Sequence, residues 1–272
     1  MRVSAVQMAA TADRDQNLAA AEALCRKAVA DGAELVVLPE MFNLFGGAEV
    51  LGAGAESLEG PTCTWASDFA RSHSIWLVAG SFTERIDGRA RHHNTSCLYD
   101  PSGARVAIYR KVHLFDNEVP GAAYHESATV EAGDEITLAE VAGHGLGMTI
   151  CYDIRFPEIF RAETLAGAEM ISLPMAFMER TGRDHMEPLM RARAIENEIF
   201  LIVADQFGQP LDDVEFHGHS AIVDPWGKVL ARAGEGAGVI TAELDFAEQE
   251  EIRAQLPVLE NRRPNVYKGL GA

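Results

Sequence analysis

Three residues of this 272-residue chain stand at the ends of strand-like runs: Glu40, Lys111 and Cys151. Cys151 closes the run Gly147-Met148-Thr149-Ile150 and is followed by Tyr152-Asp153-Ile154-Arg155, then Phe156-Pro157-Glu158. Proline and an acidic residue in that place open a helix. A thiol between a strand and a helix start lies near free backbone N–H groups and a positive dipole end, and both favour the thiolate. Cys151 therefore reads as a nucleophile. Taken alone, it would as readily be a buried core thiol. Glu40 follows Leu35-Val36-Val37-Leu38-Pro39, a short apolar run. A carboxylate delivered by a buried strand is costly unless it is paired or functional. Lys111 follows a strand-like stretch in Tyr109-Arg110-Lys111-Val112-His113-Leu114-Phe115, where a lone lysine would ordinarily be a solvated edge charge.

The elements that must position these residues follow from periodicity. Residues 2–8 alternate as a strand, and Asp13 to Ala30 places Leu18, Ala21, Leu24, Cys25 and Val29 at helical spacing. Residues 33–39 form a buried strand ending at Glu40, and the Gly-rich stretch 41–60 reads as an irregular loop over a site. Pro61 to Ser72 is a helix and residues 75–82 one further strand. Asp87-Gly88 signals a hairpin. Strands at 95–99 and 106–109 lead to Lys111, and strands at 136–141 and 146–150 lead to Cys151. Helices at 156–166 and 184–197 alternate with strands at 170–174 and 200–204. Strands at 220–223 and 239–244 precede a last helix at 247–254 and an extended tail. The stretch Gly32-Ala33-Glu34-Leu35-Val36-Val37-Leu38-Pro39 resembles Gly167-Ala168-Glu169-Met170-Ile171-Ser172-Leu173-Pro174, which suggests two similar halves with their loops near one site. Hairpins beside helix–strand alternation favour two stacked sheets covered by helices.

Composition narrows the partners. A net charge of −18 argues against nucleic acid or an anionic membrane as the main partner. A local arginine could still hold a small anion. Four cysteines without a CxxC pair suggest neither a disulfide framework nor a zinc site, and a reducing cytoplasmic setting is expected. No signal-peptide pattern and no membrane-length apolar span is read. His217-Gly218-His219 is the best local metal candidate, but it lacks a third ligand, so no metal is expected. The glycines at 143–147 lead into a strand without Gly-Lys-Ser/Thr and make no phosphate loop.

Taken together, Leu38-Pro39-Glu40-Met41-Phe42, Tyr109 to Phe115 and Ile150-Cys151-Tyr152-Asp153-Ile154-Arg155-Phe156-Pro157-Glu158 resemble the nitrilase superfamily of carbon–nitrogen hydrolases, in its order Glu, Lys, Cys. The resemblance extends to Arg191 to Asn197, Gly218-His219-Ser220, Asp224-Pro225-Trp226-Gly227 and Ile252 to Val258. It is greatest to the branch holding omega-amidases and deaminated glutathione amidases. It implies an α/β fold, a four-layer αββα sandwich with mixed sheets, in one domain over 1–272. It also implies a cofactor-independent cysteine amidase and a homodimer or higher homo-oligomer, with tail residues 256–272 in its contacts.

What the resemblance implies for the site fits the residue types. Cys151 would attack a carboxamide carbon. Glu40 would move the proton to the leaving ammonia and then activate water. Lys111 and the backbone N–H of Tyr152 would hold the oxyanion. A second glutamate after the lysine falls on Glu126, with Glu118 as the competing assignment. Arg155 would grip a substrate carboxylate bidentately. Its plain alternative is a salt bridge to Asp153 or Glu158. Phe177 and Thr181 would line the acyl pocket, or be an ordinary core residue and a helix cap. Glu179, Arg180, Arg183 and Met186 depart from the pattern at the pocket mouth. Rival readings are an N-carbamoyl hydrolase, a nitrilase and a binding protein that kept the fold.

Overall fold

The computed structural model describes residues 1–118 and 124–267. The first half runs β1 (Arg2–Gln7), α1 (Arg14–Ala30), β2 (Leu35–Val37), α2 (Ala48–Ala53), α3 (Pro61–His73), β3 (Trp76–Val78), β4 (Phe82–Arg85), β5 (His92–Tyr99) and β6 (Arg105–Arg110). The short pair β7 (Asp116–Asn117) and β8 (Tyr124–His125) closes it. The second half runs β9 (Leu138–Val141), β10 (His144–Met148), α4 (Pro157–Leu165), β11 (Met170–Met175), α5 (Glu179–Thr181), α6 (Glu187–Asn197) and β12 (Phe200–Asp205). It ends with β13 (Phe207–Leu211), β14 (Val214–His217), β15 (Ala221–Val223), β16 (Val229–Arg232), β17 (Gly238–Glu243) and α7 (Phe246–Gln255).

Two mixed sheets form the middle layers. One has the order β17-β1-β2-β3-β5-β4 with β6 on β5, the other β16-β15-β12-β11-β10-β9. Each has a parallel trio, β1-β2-β3 or β10-β11-β12, flanked by antiparallel strands. The period of two sorts the side chains. Val3, Ala5, Leu35, Val37 and Val78 turn toward the second sheet and share a core with Leu173, Leu201 and Val203. Val36, Leu38 and Leu77 turn outward onto Ala21, Cys25 and Ala28 of α1 and Phe69 of α3. On the other side, Ile159 and Phe160 of α4 and Met190 and Ala194 of α6 cover the second sheet. The result is the αββα sandwich. Among the described residues, no helix is long and apolar enough to cross a membrane.

Two local expectations are corrected, and one hairpin was not foreseen. The stretch 41–60 is not wholly irregular, because it carries α2. Residues 75–82 are two strands, not one. The chain breaks at Gly80 (φ +42°), where a Cβ would sit 2.0 Å from the carbonyl oxygen of Pro39, so only glycine lets it pass the loop that carries Glu40. Residues 207–217 form the hairpin β13–β14, which the proline and glycine in Phe207-Gly208-Gln209-Pro210-Leu211 concealed. As expected, a turn separates Cys151 from the next helix: Cys151–Arg155 form a 3₁₀ turn, and the α-helix begins at Pro157. The tail residues 268–272 lie outside the described residues.

Candidate active site

Glu40 stands one residue past Pro39 at the exit of β2, and its amide donates to the Met175 carbonyl at the end of β11 (3.3 Å). The ends of the two repeated segments therefore meet across the sandwich. Gln206 Nε2 donates to the carbonyls of Glu40 (2.9 Å) and Met41 (3.2 Å). The Ser81 hydroxyl accepts from the Met41 amide (3.1 Å), and Met41 is held at φ +53°. This backbone cannot drift without breaking several bonds.

Lys111 enters from the exit of β6. Its Nζ donates to Glu40 Oε1 and Glu126 Oε2, each at 2.9 Å. Asn94 Nδ2, from β5, donates to Glu40 Oε1 (2.8 Å) and Glu126 Oε1 (3.1 Å). The Phe115 amide donates to Glu126 Oε2 (2.6 Å). Glu40, Lys111 and Glu126 are all buried, at 5%, 2% and 4% exposure. Burial opposes the lysine charge, but the Glu126 and Glu40 carboxylates outweigh it and hold Lys111 well above the ordinary lysine range. Glu126, not Glu118, thus reaches Lys111. Glu118 is exposed and pairs with His125 (3.2 Å).

Cys151 sits at φ +46°, an uncommon setting for a residue with a side chain, and is 8% exposed. Its thiol meets the Glu40 carboxylate and the backbone N–H of Ala176. Burial pushes the thiol well up and the Glu40 charge adds to this, while Lys111 and the Ala176 N–H pull the other way and lose. The expectation of a helix-stabilised thiolate is therefore corrected. The resting group is a thiol with a carboxylate beside it to take its proton.

Asp153, weighed from sequence only as a partner for Arg155, ties two site segments together. Its Oδ2 accepts from the Tyr109 hydroxyl (2.6 Å) and the Ile150 amide (2.8 Å). Its Oδ1 accepts from the His113 amide (3.1 Å) and contacts His113 Nδ1 (2.7 Å). Tyr109 and His113 flank Lys111, and Ile150 precedes Cys151, so one buried carboxylate joins the lysine segment to the nucleophile turn. An acidic residue three positions after a strand's last residue can accept from that residue's amide, as Asp153 does from Ile150, and that spacing was the signal available. Asn94 offered none, because a polar residue at a strand end is ordinary.

A pocket of ≈ 400 Å³ has Glu40, Lys111, Glu126 and Cys151 on its floor and Met41, Phe45, Leu51, Tyr124 and Phe216 in its walls. A neck of ≈ 20 Å³ touches Cys151, Tyr152, Phe177, Thr181 and Arg155. Beyond it, Arg155, Thr181, Arg180 and His185 line a second pocket of ≈ 220 Å³. Arg155 lies over the Phe177 ring (5.2 Å) and near the Tyr152 ring (5.8 Å), with Nη1 3.3 Å from His185 Nδ1. Among the described residues it pairs with neither Asp153 nor Glu158. Asp153 is engaged as above. Thr181 ends the short α5 and its hydroxyl reaches back to the Met178 carbonyl (3.4 Å). Glu179 is taken up by Arg183 (3.1 Å) and by His217 Nδ1 (2.7 Å), and His219 Nδ1 faces the Ala233 carbonyl (3.2 Å). The two histidines of His217-Gly218-His219 thus have protein partners of their own.

Residues 2–254 match the family model described as carbon-nitrogen hydrolase. The chain belongs to the carbon–nitrogen hydrolase family. The hydrolase is 39% identical to a deaminated glutathione amidase of Synechocystis over 95% of this chain and 97% of that protein. It is 34% identical to the human omega-amidase over 98% and 96%. Among solved structures it superposes with a TM-score of 0.83 on the amidase from Nesterenkonia sp. AN1, 27% identical, with 99% of each chain covered. That structure shows Michael addition of acrylamide at the active-site cysteine. The reading as a nitrilase-superfamily hydrolase of non-peptide carbon–nitrogen bonds, an amidase with a cysteine nucleophile, is borne out.

Proposed function

We propose that the protein hydrolyses a small linear carboxamide with a carboxylate at its far end, releasing the acid and ammonia. The observation that carries this is the buried Glu40–Lys111–Glu126 cluster beside the Cys151 thiol, with the Arg155 guanidinium one neck away. Glu40 takes the thiol proton as Cys151 Sγ bonds to the carbonyl carbon. Lys111 Nζ and the backbone N–H of Tyr152 stabilise the oxyanion. Glu40 returns the proton to nitrogen, the C–N bond breaks and ammonia leaves a thioester. Water, deprotonated by Glu40, cleaves the thioester and restores the thiol. Glu126 and Asn94 hold Lys111 and Glu40 in register. Phe177 and Thr181 shape the neck, and Arg155 receives the carboxylate. No step calls for a cofactor or a metal.

The test compares the wild type with Cys151→Ala, reading ammonia release from omega-amides of keto acids, aliphatic amides, N-carbamoyl amino acids and nitriles, and cysteinylglycine release from deaminated glutathione. Turnover of carboxylate-bearing amides, lost in the variant, supports the reading. Turnover confined to N-carbamoyl compounds overturns the substrate class.

We further propose one domain over 1–272, a cytoplasmic setting and a homodimer. The sheets share one continuous core between them, and the four cysteines form no framework. Trp226 remains 64% exposed, and Ile195 and the tail residues Leu256, Val266 and Tyr267 are also exposed. Light scattering that gives a monomer, unchanged on deleting 256–272, would remove the dimer. Recovery in a membrane fraction would remove the setting.

A further inference from the structure

The cavity beyond the neck differs in sign from the rest of the molecule. The chain carries 41 acidic and 23 basic residues, for a net charge of −18. The ≈ 220 Å³ pocket is lined by two arginines and a histidine, Arg155, Arg180 and His185, and by no aspartate or glutamate among the described residues. Thr181 and Asn117 add a hydroxyl and an amide. Glu179, the acid beside Arg180 in the chain, is taken up by Arg183 (3.1 Å) and His217 (2.7 Å). A concave site of one sign gathers ligands of the other.

The cations are ordered along the path of the acyl group. Arg155 lines both the neck and the pocket, whereas Arg180 and His185 line the pocket and not the neck. His185 Nδ1 stands 3.3 Å from Arg155 Nη1, and a ring that accepts there carries its proton on Nε2 and can donate it to an anion. The neck, at ≈ 20 Å³, suits an unbranched chain. The ≈ 220 Å³ beyond it exceeds what one carboxylate fills, since a water-sized molecule takes about 30 Å³. Arg180 also departs from the family pattern, so the charge it brings to this pocket belongs to this chain.

We infer that the acyl group carries two acidic groups. An unbranched stretch from the amide carbonyl runs through the neck, one carboxylate meets Arg155, and a second, on a branch beyond the neck, meets Arg180 and His185. The substrate class is then the terminal monoamide of a branched tricarboxylic acid. This inference rests on the amidase reading above, leaves its reaction at Cys151 unchanged and adds a second acid to its substrate.

The test is ammonia release from glutaramic acid, from 2-(carboxymethyl)glutaramic acid, and from 2-isobutylglutaramic acid, which has the shape of the carboxymethyl compound without its second charge. In the wild type, kcat/KM for the carboxymethyl compound should exceed that for the isobutyl compound roughly fivefold, the upper end for ion pairs as exposed as Arg180 and His185. That ratio should fall toward one in about 1 M salt, where the screening length is about 3 Å. Arg180→Gln should remove most of the ratio, and Arg180→Lys, which keeps the charge, should retain most of it. A wild-type ratio of one or below, or a ratio that Arg180→Gln leaves unchanged, overturns the inference, and turnover of glutaramic acid in the same assay leaves the amidase reading intact. Turnover of the carboxymethyl compound alone supports the inference and makes the second acid a requirement. Silence toward all three overturns both.

Discussion

The floor around Cys151 and the neck toward Arg155 both handle charge, and they are built in opposite ways. On the floor, two carboxylates and one ammonium are sealed at exposures of 6% or less, and Lys111 Nζ and Asn94 Nδ2 bridge the same two carboxylates. Burying such a group is tolerable only because each charge has its partner within hydrogen-bond distance. In the neck, the Arg155 cation lies over two aromatic faces and beside a histidine, with no carboxylate paired to it among the described residues. A closed network fixes geometry and lets protons move along a set path. An arginine without a paired acid keeps its attraction for an anion that arrives with the substrate. The difference separates the machinery that performs the reaction from the contact that chooses what is reacted.

Five substitutions, the last read through the pH dependence of stability, would break or sharpen this contrast. Cys151→Ala should remove turnover of every amide, on the order of 10⁶-fold in kcat. Measurable turnover in that variant would place the nucleophile elsewhere. Lys111→Met should lower kcat by about 100- to 1,000-fold, whatever the tail of the substrate, since it removes an oxyanion donor. Circular dichroism should accompany it, because the two carboxylates lose the cation between them. Arg155→Gln should raise KM for carboxylate-bearing amides by roughly 10- to 100-fold, the worth of a charge-assisted contact, and leave neutral amides almost unmoved. Equal losses on both substrate types would erase the distinction between neck and floor. Asn94→Ala should reduce kcat by roughly tenfold, with little change in KM, because it loosens both carboxylates by one hydrogen bond each.

The smallest effect concerns Asp205, which lies behind both regions. Its Oδ1 accepts from the Phe177 amide (3.0 Å). Burial, with the Glu40 charge adding to it, holds its carboxyl well above the ordinary carboxylate range. The folded state therefore keeps a proton that the unfolded state loses, so this group's contribution to stability falls as pH rises from the ordinary carboxylate range upward. Asp205→Asn should flatten that part of the stability profile. Thermal melts from pH 4 to 8 that keep the wild-type slope would show that Asp205 is ionised in the fold.

Much of the floor was legible in the chain because its residues stand at strand exits. Glu40, Lys111 and Cys151 each follow a strand-like run, and strand exits on one edge of a sandwich face a common space. The repeat of Gly32–Pro39 in Gly167–Pro174 was legible too, and the Glu40–Met175 hydrogen bond shows the two segments meeting. One copy ends in a carboxylate; the other ends in Met175 and Ala176, whose backbone N–H faces the thiol. Asp153 and Asn94 were not legible in their roles, because each acts on segments dozens of residues away. The protonation of Cys151 was misread for the same reason. Local sequence showed a helix start, whereas burial and a carboxylate from residue 40 decide the balance.

The sequence by itself determined most of the element order, the two-faced strands, the family and the residue types able to perform acyl transfer, because these depend on spacing along the chain. Only the tertiary structure decided which glutamate reaches Lys111, that Cys151 rests as a thiol, and that Arg155 faces a different cavity from Glu40. Those outcomes depend on distances between segments far apart in sequence. Electrostatic interaction and desolvation are set by such distances and by burial, and neither is written in the order of residues.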